Sequence, residues 1–391
     1  MKPTARQRAL PGLIAEANKR LAAIEECANG LKQLLERRGK MWIIYELIQN
    51  AWDTKAKNVV VTIETVPSTA QVWLTVDDDN PAGFTDLTHT YRVFAPSEKK
   101  GDPTLRGRFD LGCKLALACC LEATITSTSG TYHFTEKGRR RSGLKTEAGS
   151  VFRGRLPMTR AELSEIENQV FQLLPPTHVN TVIKIKDGTR NTEAFLVSRT
   201  PFQHFTAALM TEIADEEGFL RRRPRTTRVN IHEASPAFLY ELGIPVMPLE
   251  GNWSLDVQQK LPLGFERDGA PPAYVAALQS KALGCVANEM APEDFTTAWV
   301  AEAVQNPDVT PEALNKYLTA KHGDKFVIAD VNNPESNRQA VANGYALIHG
   351  GSEAKGTWSN IKKHQLAAPS SHVFPPPKKS SAANRLRFGD G

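Results

Sequence analysis

The sequence predicts an α/β protein of the α+β sandwich kind: a mixed sheet with helices on one face, followed by a smaller α/β domain. Three observations predict it. Helix-period and strand-like stretches alternate through the first 190 residues. The pattern loses regularity after about residue 195, which marks a change of domain. The chain has 391 residues, 41% hydrophobic and 23% charged, which suits two or three domains with at least one large core.

The elements follow in order. Residues 4–38 read as largely helical, with Pro11 marking a break or first turn. A loop at Gly39 leads into a helix over 41–54. "NVVVTIET" (58–65) and "QVWLTVDD" (71–78) read as strands separated by a Pro-Ser-Thr turn. Residues 84–106 are polar, aperiodic and centred on "EKKGDPT", which predicts a long loop. "LGCKLALACCLE" (111–122) reads as a helix, and "ATITSTSGTYHF" (123–134) as a hairpin about Ser-Gly. "TRAE" at Thr159 predicts a capping box and a further helix. "NTVIKI" (180–185) is a strand. Residues 237–269 mix strands and loops, and helices are expected over 272–290 and 309–322. Residues 325–350 read as strand, helix and short strand. Beyond 351 the Pro/Ser/Lys-rich composition predicts a flexible basic tail.

Composition narrows the function classes. There is no run of about 18 apolar residues, so no membrane span is expected, and the N-terminal twenty residues lack a signal-peptide core. A cytoplasmic protein is the expectation. Cys27, Cys113, Cys119, Cys120 and Cys285 are odd in number and form no CxxC pair, which suggests neither a disulfide framework nor a zinc site. Net charge is 48 minus 43, or +5. The basic residues cluster at 138–141, at 221–228, and in a tail carrying Lys378, Lys379, Arg385 and Arg387. Such clusters suit solvated loops or a phosphate backbone.

The chemical signal is on the helix at 41–54. At 100° per residue, Glu46, Asn50 and Asp53 fall within roughly 60° of one another. Their neighbours Trp42, Ile43, Tyr45 and Trp52 are apolar or aromatic. Carboxylates in such surroundings are costly unless paired, bound to metal or used in acid–base work. Further along, "VDDDNPAGF" (76–84) ends a strand with acids and turns through Asn-Pro-Ala-Gly. "RGRFDLGCK" (106–114) is a glycine-spaced loop entering a helix, a geometry that aims N–H groups at an anion.

These boxes, in this order, resemble the GHKL ATPase superfamily of gyrase B subunits, ninety-kilodalton heat-shock chaperones, MutL and histidine kinases. The likeness covers residues 35–190. It implies a Bergerat-type ATP-binding domain, ATP with Mg²⁺ as cofactors, and a lid over 84–106. By resemblance, Glu46 is the general base and Asn50 the Mg²⁺ ligand, while Asp53 holds the ribose or adenine side. Asp79 accepts from the adenine amino group, and Gly83 is the second glycine of that box. Gly107 and Gly112 bend the phosphate loop, Lys114 lies near the phosphates, and Thr181 completes the adenine pocket. The sequence departs from the family at Pro81, Asp110 and Asn180, where the pattern has glycines. Gln258-Gln259-Lys260 resembles the Gln-x-Lys loop of the transducer domain that follows in gyrase-like members. That implies a catalytic role for Lys260 at the γ-phosphate, with Arg267 in reserve.

Other motifs fail. "GGSEAKGT" (350–357) is not a Walker loop, since Lys355 precedes its glycine. "IHEAS" lacks the second histidine of a zinc-protease helix, and the presence of Glu46 favours hydrolysis over phosphotransfer to histidine. The expected organisation is a helical segment 1–40, an ATP-binding domain 41–190, a transducer-like domain 191–305, a small α/β segment 306–350 and a tail 351–391. The expected function is slow Mg²⁺-ATP hydrolysis driving a conformational or dimerisation switch, with a homodimer forming on nucleotide binding. A non-hydrolysing nucleotide-sensing scaffold and a nucleic-acid-remodelling factor are the alternatives. A protein or a nucleic acid is the expected kind of client for such a switch.

Overall fold

A computed structural model of the chain describes residues 39–91, 101–106, 112–188, 190–214, 220–263 and 269–376. The helical reading of 4–38, the end of the basic tail, and Gly107, Asp110 and Arg267 lie outside these residues. The fold is mixed α/β, with two large sheets and helices packed on them.

The first sheet has eight strands in the order β5-β4-β3-β6-β2-β1-β7-β8. They are β1 (Asn58–Thr65), β2 (Gln71–Asp78), β3 (Glu122–Ser127), β4 (Gly130–Thr135), β5 (Gly138–Ser142), β6 (Ser150–Pro157), β7 (Asn180–Asp187) and β8 (Arg190–Leu196). β1 is antiparallel to β2 and parallel to β7, so the sheet is mixed. Its strands alternate in burial with period two, as β-branched runs require. Val59, Val61 and Ile63 of β1, Val72, Leu74 and Val76 of β2, and Ile183 and Ile185 of β7 are buried on one face. Helix α1 (Met41–Trp52) covers that face with Ile44, Leu47, Ile48 and Ala51. Helix α2 (Gly112–Ala118) packs beside α1, and α3 (Arg160–Gln169) adds Leu163 and Ile166. The capping box of α3 is formed: the Glu162 N–H donates to Thr159 Oγ1 (3.2 Å), and the Thr159 N–H donates to Glu162 Oε2 (2.7 Å). Such a cap contributes about 1 kcal/mol.

The opposite face carries a row that crosses all eight strands in register: Arg140, His133, Thr124, Arg153, Thr75, Thr62, Lys184 and Glu193. Arg153 stacks on Trp73 there, its guanidinium carbon 4.4 Å from the ring centroid.

The second sheet has the order β12-β11-β13-β10-β9. A long hairpin of β9 (Gln203–Ala214) and β10 (Leu220–Glu233) is followed by β11 (Ala237–Glu241), β12 (Ile244–Leu249) and β13 (Trp253–Val257). Helices α4 (Pro272–Val286), α5 (Ala298–Ala303) and α6 (Pro311–His322) follow. A small β–α–β unit then combines β14 (Phe326–Ile328), α7 (Pro334–Ala342) and the parallel strand β15 (Ala346–Ile348). Helices α8 (Lys355–Lys363) and α9 (Ser370–Val373) end the described chain.

Three expectations are corrected. The stretch 351–376 is folded: Ile361 of α8 is fully buried, and Asn360 Nδ2 donates to the carbonyls of Val304 and Asn306, 2.9 Å each. Lysines and polar residues flank Ile361 and its apolar neighbours Trp358, Leu366 and Ala367, so composition concealed the fold. The segment 306–350 shares its core with the second sheet, since one cluster runs from Ala207 to Ile361. The first sheet extends to Leu196, so the boundary falls after β8 rather than at 190. The helix expected over 111–122 stops at Ala118, where the Leu121 N–H turns to the Arg155 carbonyl (2.8 Å) and starts β3. Among the described residues no helix is long and apolar enough to cross a membrane.

One glycine fixes the join between β2 and β6. Gly149 has φ +75°, and its N–H donates to the Asn80 carbonyl at 2.9 Å. A Cβ there would lie 1.8 Å from the carbonyl oxygen of Asp78. Gly149→Ala is therefore expected to cost at least about 1–3 kcal/mol. Gly143→Ala, which meets nothing within 4 Å, should stay within about 0.5 kcal/mol. Urea unfolding midpoints of the two variants check this; equal midpoints would refute it.

Candidate functional site

The site is built where the C-terminal half of α1 lies over the ends of the interior strands β2, β1 and β7. Gly39 (φ +78°) turns the chain into α1, whose apolar residues Met41, Ile43, Ile44, Leu47, Ile48 and Ala51 face the core. The remaining stripe carries Glu46, Gln49, Asn50 and Asp53. Glu46 and Gln49 are buried, Asn50 is half-buried, and the Asp53 side chain is fully buried. Thr54 closes the helix by donating its hydroxyl to the Ala51 carbonyl (2.7 Å).

Under this helix runs a row of three. Val59 of β1 is opposite Asp78 of β2 on one side and Thr181 of β7 on the other. All three are buried, and all three face α1. With neighbouring strands about 4.8 Å apart, Asp78 and Thr181 stand roughly 10 Å from each other. The indole N–H of Trp52 donates to Thr181 Oγ1 at 2.9 Å, tying the end of α1 to the row. Asp78 also accepts the Asn80 N–H (3.0 Å), which begins the following turn. Gly83, at φ +57°, closes that turn with its N–H on the Asn80 carbonyl (2.9 Å). A Cβ at Gly83 would come 2.5 Å from Ser127 Oγ, so the glycine is required by close approach as well as by φ.

Asp79 lies elsewhere. It is exposed, and its carboxylate accepts the backbone N–H groups of Lys57 (2.7 Å) and Asn58 (2.9 Å) and the Asn58 side-chain amide (2.7 Å). It pins the start of β1 and does not share the buried row. The residue level with Thr181 is Asp78, one position earlier than the motif alignment placed it. Strand alternation was the signal that would have found it.

A second cluster joins α1 to the other sheet. The Arg106 backbone N–H and Nη1 each donate to the Asp53 carboxylate at 2.9 Å. The same guanidinium reaches the Leu242 carbonyl, from Nε at 2.9 Å and also from Nη2. Arg106 thus donates to both oxygens of the Asp53 carboxylate. Lys260, 1% exposed, donates from Nζ to the Asp102 carbonyl and from its backbone N–H to the Pro103 carbonyl, 2.8 Å each. Loop 258–261 of the second domain therefore embraces residues 101–106, beside the site. Burial raises the pKa of Asp102, but hydrogen bonds from Thr104 and the charges of Lys260 and Arg225 outweigh it and hold the group below its ordinary value. Tyr45 of α1 faces Tyr240 of β11, and burial, then that neighbour, push its hydroxyl pKa far up.

Gly112 opens α2, and Lys114 is half-buried on it. In the basic clusters, Arg139 stacks on Tyr91 at 3.9 Å, Arg222 pairs with Glu212 at 2.9 Å, and Arg225 acts on Asp102. Among the described residues no group of three or more His, Cys, Asp or Glu could hold a metal ion. Asn50 offers one carboxamide oxygen. That donor suits Mg²⁺, which keeps waters and takes most of its oxygens from substrate phosphates. No family model matches the sequence, and no curated protein matches it.

The Asp79 contacts make a pH prediction. Burial raises its pKa, but the hydrogen bonds from Asn58 and Lys57 outweigh that and set it below the ordinary carboxylate value. A depressed folded-state pKa contributes stability above the unfolded pKa of about 3.9, and this is lost as pH falls through the folded value. Asp79→Asn should therefore melt below the parent at pH 7, and the gap should close below about pH 4. A gap that persists into acid would show that ionisation of Asp79 is immaterial.

Proposed function

We propose that residues 41–196 form a GHKL-type ATP-binding domain. It binds Mg²⁺-ATP, hydrolyses it slowly, and drives a conformational switch that includes dimerisation. The observation that carries this reading is the buried row of Asp78, Val59 and Thr181 beneath the helix bearing Glu46 and Asn50. A buried carboxylate and a hydroxyl at one level suit adenine. Asp78 accepts from the exocyclic amino group, whereas the 6-oxo group of guanine would place acceptor against acceptor. The adenine role thus passes from Asp79 to Asp78.

Asn50 would hold Mg²⁺, which when bound neutralises phosphate charge and orients the terminal phosphoryl group. Glu46, one helical turn before Asn50, takes the proton of the attacking water. Lys260 reaches the first domain from the second and supplies a positive charge where phosphoryl transfer develops negative charge. Asp53 serves by holding Arg106 rather than the ribose.

Asp78→Ala is expected to weaken Mg²⁺-ATP binding at least about tenfold, the worth of one charge-assisted hydrogen bond. Asp79→Ala should leave binding within about twofold, because its partners are the backbone of β1. Calorimetry with a non-hydrolysable analogue decides, and the reverse order would return the role to Asp79. Glu46→Ala should keep binding and lose about 10²- to 10⁴-fold in turnover, roughly 3–5 kcal/mol of barrier. It should then elute with ATP as a dimer. Parent-like turnover in this variant sinks the base assignment. A parent that binds ATP without turnover is instead the nucleotide-sensing scaffold.

A further inference from the structure

We infer that Arg106 is a positioning residue that couples the nucleotide site to the second domain; the inference rests on the ATP reading above. Its donors divide between the two domains. Toward the first, the backbone N–H and Nη1 take one oxygen each of Asp53, a carboxylate with no exposed side-chain surface. The guanidinium carbon also lies 5.2 Å from the ring centroid of Trp52, the residue whose indole N–H is bonded to Thr181. Toward the second, Nε and Nη2 both donate to the Leu242 carbonyl.

That carbonyl is held firmly. Leu242 (φ +52°) and Gly243 (φ +85°) form the two-residue turn between β11 and β12. Positive φ at both positions is the hairpin geometry that follows strand twist. The Gly243 N–H donates to Asp256 Oδ1 at 2.8 Å, and its carbonyl accepts the Leu174 N–H of the first domain at 3.0 Å. A Cβ at Gly243 would lie 2.0 Å from the Leu174 carbonyl oxygen, so the turn is wedged against the first domain.

In the chain, Arg106 stands between Asp102, which Lys260 holds, and Lys114 of α2. A nucleotide bound under α1 that shifts residues 101–106 acts on the Arg106 N–H and so on Asp53. The rigid fork of the side chain passes the displacement to the turn at 242–243. A lysine cannot replace it. Its donors sit on one atom, whereas the guanidinium reaches Asp53 from Nη1 and the Leu242 carbonyl from Nε and Nη2, so a lysine keeps charge beside Asp53 without that span.

The test uses the full chain, the non-hydrolysable ATP analogue with Mg²⁺, calorimetry, and amide hydrogen exchange at Leu174 and Gly243. In the parent, saturating analogue should change exchange at both amides by at least about threefold. In Arg106→Lys, binding should stay within about threefold while the response at Leu174 and Gly243 disappears, and kcat should fall with KM little changed. A parent-like response in Arg106→Lys overturns the coupling. So does a parent that binds the analogue without change at these amides, a comparison that needs no variant to fold. A parent that binds no nucleotide by calorimetry overturns the ATP reading itself, and the coupling with it.

Discussion

The parallel pairing of β1 with β7 is the constraint on which the rest of the first domain depends. Parallel neighbours cannot be joined by a tight turn, so the chain must leave β1 and return from far away. Here the excursion carries β2, the β3–β6 strands and all of α3 before Asn180 comes to rest beside Asn58. The register is set by burial. Val59, Val61 and Ile63 are sealed under α1, and so are Thr181, Ile183 and Ile185 opposite them. A slip of one residue in β2 would turn Asp78 outward and Asp79 inward. The chemistry of the candidate site is therefore decided by the same contacts that decide the core.

Much of this could be read from the chain. The period of α1, the alternation of β1, β2 and β7, and the Thr159 cap are local signals, and they name their elements almost residue by residue. The strands β5 and β6 escaped notice. β5 is mostly arginine, and the arginines at 153 and 155 on the open face interrupt the apolar run of β6. The β9–β10 hairpin was hidden in the same way by its arginines. In the site, Glu46 and Asn50 were legible because a helix face can be drawn from spacing. Asp78 was not, because the motif counts from Gly83 through a turn with Pro81 in it, while the pleat counts from the strand. The partnership of Asp53 with Arg106 was beyond reach, since it depends on where residue 106 returns in space.

Charged groups are concentrated where the two domains meet. Asp53, Arg106, Glu241, Asp256 and Lys260 are all withdrawn from water there. Burial raises the pKa of Asp256 above its ordinary range, while the Gly243 N–H, Arg106 and Gln258 oppose the rise. Glu241 takes the Leu261 N–H at 2.7 Å, so loop 258–261 is held by a carboxylate while it holds residues 101–106. Withdrawing so many charges returns little net stability. The contacts that cross between the parts, Arg106 to the Leu242 carbonyl and Lys260 to the Asp102 and Pro103 carbonyls, are made in this relative placement.

Trp52 gives this arrangement a native optical reporter. Its ring is buried, its N–H is committed to Thr181, and the Arg106 guanidinium stands near its face. The excited indole responds to the field of a nearby cation and to the loss of a hydrogen-bond acceptor. Both are supplied here, the cation by Arg106 and the acceptor by Thr181. Among the six tryptophans of the chain, this one stands between the row beneath α1 and the contact with the second domain, so with the other five replaced by phenylalanine its emission would report on both.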